Sequence, residues 1–137
     1  MLPLALLRDR TGLFTWLMVL LVAAAVYASA SPSVKHASVD EARMLIDAGA
    51  MVIDVREPAA ADSRIPGARR IPLEALAAGL PGLAAERDRT IVVYCGSGAG
   101  RGPRATRLLH KAGFSKAVNL ESGFEGWRAA GLPIRRG

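Results

Sequence analysis

The segment Thr90-Ile91-Val92-Val93-Tyr94-Cys95-Gly96-Ser97-Gly98-Ala99-Gly100-Arg101-Gly102-Pro103 joins a β-branched apolar run to a glycine-rich stretch and then to a proline. A short apolar run of this kind reads as a buried strand. Glycines placed directly after it let backbone amides converge. Pro103 suits the first turn of a helix, where its missing N–H costs nothing. The chain must therefore pass from a strand through a tight loop into a helix. That passage puts the single cysteine, Cys95, between a strand end and a helix N-terminus. Inward-pointing amides and the positive end of a helix dipole stabilise a thiolate there, and any anion bound beside it. Cys95 is the candidate nucleophile.

The chain has 137 residues, room for one domain of ordinary size. Its apolar content of 51% is raised by the N-terminus, where residues 11–30 carry no charge and follow Arg8 and Arg10. Two readings of residues 1–30 stand side by side. A basic start, an apolar region from Leu13 to about Val26 and the small-residue site Ala28-Ser29-Ala30 describe a signal peptide. The same stretch has the roughly 20 residues that an uncleaved membrane anchor needs. Either way the arginines stay on the cytoplasmic side and the domain is delivered outward, membrane-anchored or released to the periplasm or exterior. A buried core helix would need an amphipathic stripe, which this segment lacks.

The net charge is +6 for the whole chain and +5 without residues 1–30. The basic residues are spread out, with no long Lys/Arg run and little aromatic interleaving, which argues against nucleic acid as a partner. A surface favouring small anions fits better. A lone cysteine forms no intrachain disulfide, so in an oxidising compartment it is either a buried leftover or a reactive thiol. The loop position of Cys95 argues for reactivity.

Residues 31–37 read as a linker and 38–135 as the domain. Ser38-Val39-Asp40-Glu41 is a capping box, followed by helical spacing to a stop at Gly49. Residues 51–55 form an apolar strand, 56–67 a loop, and 68–72 a short strand. A helix over 73–83 is broken by Gly79 and Pro81. The strand at 90–94 leads through the Cys95 loop to a helix over 103–112 with Gly113 as its stop. A strand over 116–120 and a helix over 123–130 complete the pattern. Alternation at this spacing predicts an α/β fold, a central parallel sheet flanked by helices on both faces, preceded by one apolar N-terminal helix.

The loop excludes two familiar phosphate motifs. Its glycines fall at 96, 98, 100 and 102 in strict alternation, unlike a dinucleotide fingerprint, and no Lys stands where a P-loop needs one. Arg101 and Arg104 lie in the first helical turn, where cations oppose the dipole. A bound oxyanion would reverse that cost, so their placement suggests an anion site beside Cys95. No metal-ligand spacing is present. Asp54 and Arg56 follow a strand end, where open parallel sheets place ligands, and also suit an internal ion pair.

From about His36 to Ile134 the chain resembles a single rhodanese domain. The resemblance rests on the Cys95 loop, Asp54-Val55-Arg56-Glu57-Pro58, Ile65-Pro66-Gly67-Ala68 before Ile71-Pro72, Asn119-Leu120 with Gly123-Phe124 and Trp127, and Gly131-Leu132-Pro133. It implies a sulfurtransferase in which Cys95 takes sulfane sulfur from a donor such as thiosulfate and holds it as a persulfide. The sulfur then passes to cyanide or a thiol, with no cofactor. The amides of residues 96–101 would cradle the donor, Arg101 would add charge, and Asp54, Arg56 and Arg104 would support the loop. His36 and His110 are assigned no role.

Two departures bear on substrate. Arg64 stands before Ile65-Pro66-Gly67, where the family usually has histidine. The run from Cys95 to Arg101 is one residue longer than the sulfurtransferase loops it resembles. A loop of this length resembles the rhodanese-fold phosphatases and arsenate reductases. Those relatives usually carry Ser or Thr beside the arginine, where Gly102 stands here, and arsenate reduction needs a second thiol that this chain lacks. The third reading is a module that binds sulfur or anions without turnover.

Overall fold

A computed structural model describes residues 4–29 and 33–137. The chain divides into two compact units, Met1–Ser33 and Val34–Gly137, and each is described by itself. The first is one helix, α1 (Leu4–Ser29). Its stretch Thr11–Ala28 is long and apolar enough to cross a membrane, by length and composition. The large side chains along it, from Leu13 to Tyr27, are exposed. The last residue of the small-residue site, Ala30, and the start of the expected linker lie outside the described residues.

The second unit is built on five parallel strands in the order β1–β6–β5–β2–β4. They are β1 (His36–Ala37), β2 (Met51–Asp54), β4 (Arg69–Arg70), β5 (Ile91–Tyr94) and β6 (Ala117–Leu120). In β2, β5 and β6 every residue is buried, as expected of inner parallel strands covered on both faces. Period-two alternation divides their side chains between two cores. Ile91, Val93 and Cys95 point to the face covered by α3 (Leu73–Gly79) and α4 (Arg101–Lys111), among Leu76, Leu109 and Phe114. Val92 and Tyr94 point to the face covered by α2 (Val39–Asp47) and α5 (Gly123–Ala129), among Leu120, Phe124 and Trp127. The nucleophile thus faces the same side as the helix that follows it. A two-stranded antiparallel ribbon of β3 (Ser63–Arg64) and β7 (Arg135–Arg136) lies apart from this sheet.

Local chemistry sets the element ends. The Ser38 hydroxyl accepts from the Glu41 amide at 3.2 Å and starts α2, which fulfils the N-cap half of the expected box. The expected helix at 73–83 is α3 followed by a 3-10 segment, Leu80–Glu86. Gly79 and Pro81 weaken and then interrupt the i→i−4 ladder. Helix α4 begins at Arg101, two residues before the expected start. Pro103 sits at its third position, where an N–H would still lack an intrahelical partner. The strands β1, β3 and β7 were not expected. At two residues each they hold too little alternation to read.

Leu109 is fully buried between α4 and the sheet. Leu109→Ala is expected to lower unfolding stability by about 2–5 kcal/mol in urea titration, through the cavity it opens.

Candidate active site

Strand β5 ends at Tyr94, and the chain then turns through Cys95–Gly100 into α4. This is the carboxyl edge of a parallel sheet, where such folds leave room for ligands. Cys95 is only 4% exposed. The loop around it is held from outside by three donors. The Phe124 and Glu125 amides at the start of α5 donate to the carbonyls of Cys95 (2.8 Å) and Gly96 (3.0 Å). The Asn119 side-chain amide on β6 donates to the Gly98 carbonyl at 3.0 Å. A trans peptide points its N–H opposite its C=O. Fixing these three carbonyls outward therefore turns the amides of Gly96, Ser97 and Ala99 the other way. The Gly98 amide donates directly to Cys95 Sγ at 3.2 Å. The Ala99 amide meets Ser97 Oγ at 3.4 Å, so the amides of Gly96, Ser97 and Gly98 are the donors arranged for sulfur or an oxyanion.

Two glycines make this packing possible. Gly98 has φ +83°, and a Cβ there would collide with the Glu121 carbonyl. A Cβ on Gly102 would collide with Asn119 Oδ1 and lie 3.3 Å from Cys95 Sγ. The loop thus lies directly on β6 and on the first turn of α4. Asn119 Oδ1 is buried and has no hydrogen-bond partner among the described residues, while its Nδ2 donates both to the Gly98 carbonyl and to His36 Nδ1 (3.1 Å). Asn119 is one of the functional residues that sequence reasoning named only as part of a motif. The signal was present as a lone amide in the otherwise apolar strand Ala-Val-Asn-Leu, since buried polar groups need a reason.

Asp54 and Arg56 form a buried pair, with Arg56 Nε and Nη2 on the two carboxylate oxygens at 3.0 and 2.7 Å. Tyr94 closes the network by donating to Asp54 Oδ2 (3.0 Å) and accepting from the Ile65 amide (3.1 Å). The Arg56 guanidinium also lies 4.3 Å from the Phe124 ring centroid. Phe124 is the residue whose amide holds Cys95 O, so the pair reaches the loop through α5. Burial first, then the charge of Asp54, pushes the Tyr94 phenol well above its ordinary range.

Arg101, at the first position of α4, gives one guanidinium nitrogen to Glu57 at 2.5 Å and the other to Glu74. Glu57 was named from sequence only as part of the Asp54–Pro58 motif, and Glu74 not at all. Both lie in loops or helix starts where a surface carboxylate is unremarkable. Arg104 is exposed; among the described residues it bonds neither Cys95 nor the loop, and its charge acts on Glu74. A cavity of about 430 Å³ opens beside the loop, bordered by Arg56, Glu57, Gly96, Arg101, Phe124 and Glu125. His110 bonds the Ala117 carbonyl through Nε2 at 2.7 Å and has no part in the site. No cluster of His, Cys, Asp or Glu suited to a metal occurs among the described residues.

Parallel strands, two helical layers and a cysteine loop at the sheet's carboxyl edge define a class of small α/β domains with a loop-borne thiol. Within that class, residues 38–130 match the rhodanese-like domain family, and the chain belongs to it. It is 35% identical over 91 residues to the thiosulfate sulfurtransferase GlpE of Pseudomonas aeruginosa, covering 66% of this chain and 80% of that one. A rhodanese-related protein of Thermoplasma volcanium superposes with TM-score 0.66 at 28% identity, over 74% of this chain and 97% of that chain. A protein of unknown function from Rhodopseudomonas palustris, described as a possible tyrosine phosphatase, superposes at TM-score 0.67 with 26% identity, over 75% and 86%. The family match and the likeness to GlpE support a rhodanese-like sulfurtransferase in general.

Removing the Asp54 charge strands Arg56. Asp54→Asn is expected to cost about 3–5 kcal/mol by urea titration, because an uncompensated buried charge remains. The Tyr94 phenol stays protonated in the fold, whereas an unfolded tyrosine ionises near pH ~10. Stability should therefore fall as pH rises above that value, by at most ~1.4 kcal/mol per unit from this group. In Tyr94→Phe that part of the slope should vanish, which urea titrations at a series of alkaline pH values would read.

Proposed function

We propose that this chain transfers sulfane sulfur through a persulfide on Cys95, from a donor such as thiosulfate to a thiol or cyanide. The observation that carries this reading is the loop itself, whose carbonyls are tied outward and whose Gly98 amide lies on Sγ. In the loading step the Cys95 thiolate attacks the sulfane sulfur of thiosulfate. A new S–S bond forms, the old one breaks, and sulfite leaves with the electron pair. The terminal sulfur then carries the negative charge, and the loop amides are the donors for it. In the unloading step the acceptor, cyanide carbon or a thiolate, attacks that terminal sulfur. Thiocyanate or a new persulfide departs and the Cys95 thiolate is restored. No cofactor enters the balance. Likeness to a thiosulfate sulfurtransferase supports thiosulfate as a donor.

Phosphatase chemistry is the second reading, favoured by the seven residues from Cys95 to Arg101 and by the Rhodopseudomonas palustris likeness. Against it, Gly102 follows Arg101 where those relatives usually carry Ser or Thr. Nor is there a second cysteine for arsenate reduction. The domain is further proposed to work on the outward side of a membrane. The exposed apolar helix after Arg8 and Arg10 supports this reading.

Incubating the purified full-length chain in mild detergent with thiosulfate should add the mass of one sulfur atom, and Cys95→Ser should abolish both this gain and thiocyanate formation. Absence of any sulfur gain together with Cys95-dependent hydrolysis of an aryl phosphate would replace this reading by the second. In cells, the domain should resist carbonate extraction or be recovered outside the cytoplasm. Recovery as a soluble cytoplasmic protein would contradict the outward location.

A further inference from the structure

The Arg101 guanidinium does not stand free at the mouth of the loop. It is clasped between Glu57, which precedes the 3-10 turn Pro58–Ala60, and Glu74, in the first turn of α3. Three separate elements thus meet over the site. Both glutamates are well exposed, at 61% and 64%, whereas Arg101 is 29% exposed. A third carboxylate, Glu125 Oε1, lies at the edge of the cradle, about 4.0 Å from where a Gly96 side chain would begin. No ion pair of Glu125 occurs among the described residues. Glu57 and Glu74 match the charge of Arg101, and Asp54 that of Arg56; Asp62, Glu125 and Arg128 also border the cavity, so the mouth carries no net positive charge although the whole chain is positive.

This charge order is the reverse of what a free dianion needs. An incoming oxyanion must displace two carboxylates from Arg101 to use its fork, and it meets their repulsion meanwhile. A donor or acceptor of lower charge, or one that carries an ammonium group beside its sulfur, pays neither cost. Glu74 is held ionised at neutral pH, its own backbone amide first and Arg101 second lowering it below the usual carboxylate range.

We propose that Glu57 and Glu74 are specificity-determining residues, which neutralise Arg101 and weight the site against small, doubly charged anions in favour of sulfur carriers of low net negative charge. As a statement about substrate choice it rests on the sulfur-transfer reading. Its physical content, charge selection at Cys95, does not.

The test compares alkylation of Cys95 by iodoacetate and by iodoacetamide in the full-length chain. In each reaction the thiolate attacks the methylene carbon, a C–S bond forms, and iodide leaves with the bonding pair. The reagents differ in charge, so the ratio of their rates cancels the thiolate fraction and reports the local field. Cys95 is the only cysteine, so all label falls on it. In Glu57→Gln/Glu74→Gln the iodoacetate-to-iodoacetamide ratio should rise about tenfold at low ionic strength and less at on the order of 0.5 M salt. Glutamine keeps an acceptor for Arg101, so a purely structural clasp would leave the ratio unchanged. Adding Arg101→Gln to the double variant should bring the ratio back down. The double variant should also lower the KM for thiosulfate with kcat kept within about twofold, the mark of a change in binding rather than chemistry. A flat or falling ratio in a variant that still transfers sulfur overturns the proposal and leaves sulfur transfer standing. A raised ratio in protein that never takes up sulfur upholds charge selection and removes the sulfur reading.

Discussion

Everything distinctive about this molecule depends on three hydrogen bonds that hold loop carbonyls away from a sulfur atom. The α5 amides take the carbonyls of Cys95 and Gly96, and Asn119 takes that of Gly98. A buried carbonyl must find a donor, and here every donor lies outside the loop. The opposite ends of the peptides are thereby turned toward the space around Sγ. Without those bonds the glycines would leave the loop free to sample many shapes, at a large entropic cost to any ordered one.

The fold exists to bring those three donors together. Strand β6 carries Asn119, and the turn after it starts α5, so one strand–helix unit supplies all of them. The adjacent strand β5 delivers Cys95, and parallel pairing of β5 with β6 sets the depth at which the loop meets α5. The Asp54–Arg56–Tyr94 network then fastens β2 to β5 and seats Arg56 on Phe124. A buried ion pair is weak evidence of stability by itself. Its use here is geometric, because it fixes the ring whose backbone holds the nucleophile.

Much of this was legible in the residues. The run Ile91–Tyr94, the glycines and Pro103 announced a strand, a loop and a helix, and the Ser38 cap marked the start of α2 within the observed bounds. Arg101 was recognisable as a cation at a helix mouth, and the two inner cores followed from strand–helix alternation. What escaped was long-range pairing. Glu57 and Glu74 lie 44 and 27 residues from Arg101, and no local pattern ties a surface glutamate to a distant arginine. Arg104 looked equivalent to Arg101 by position in the first turn, but it lies three residues further along α4 and is exposed to solvent. The two-residue strands β1, β3 and β7 are products of tertiary packing and leave no periodicity to read.

The decisive measurement is an experimental structure of the protein after sulfur loading. The account requires the terminal sulfur of a Cys95 persulfide to lie within hydrogen-bonding distance of several amides between Gly96 and Arg101, with the carbonyls of Cys95, Gly96 and Gly98 still held by Phe124, Glu125 and Asn119. A loaded sulfur pointing to solvent, or a loop whose carbonyls have turned toward it, would contradict the account at its centre.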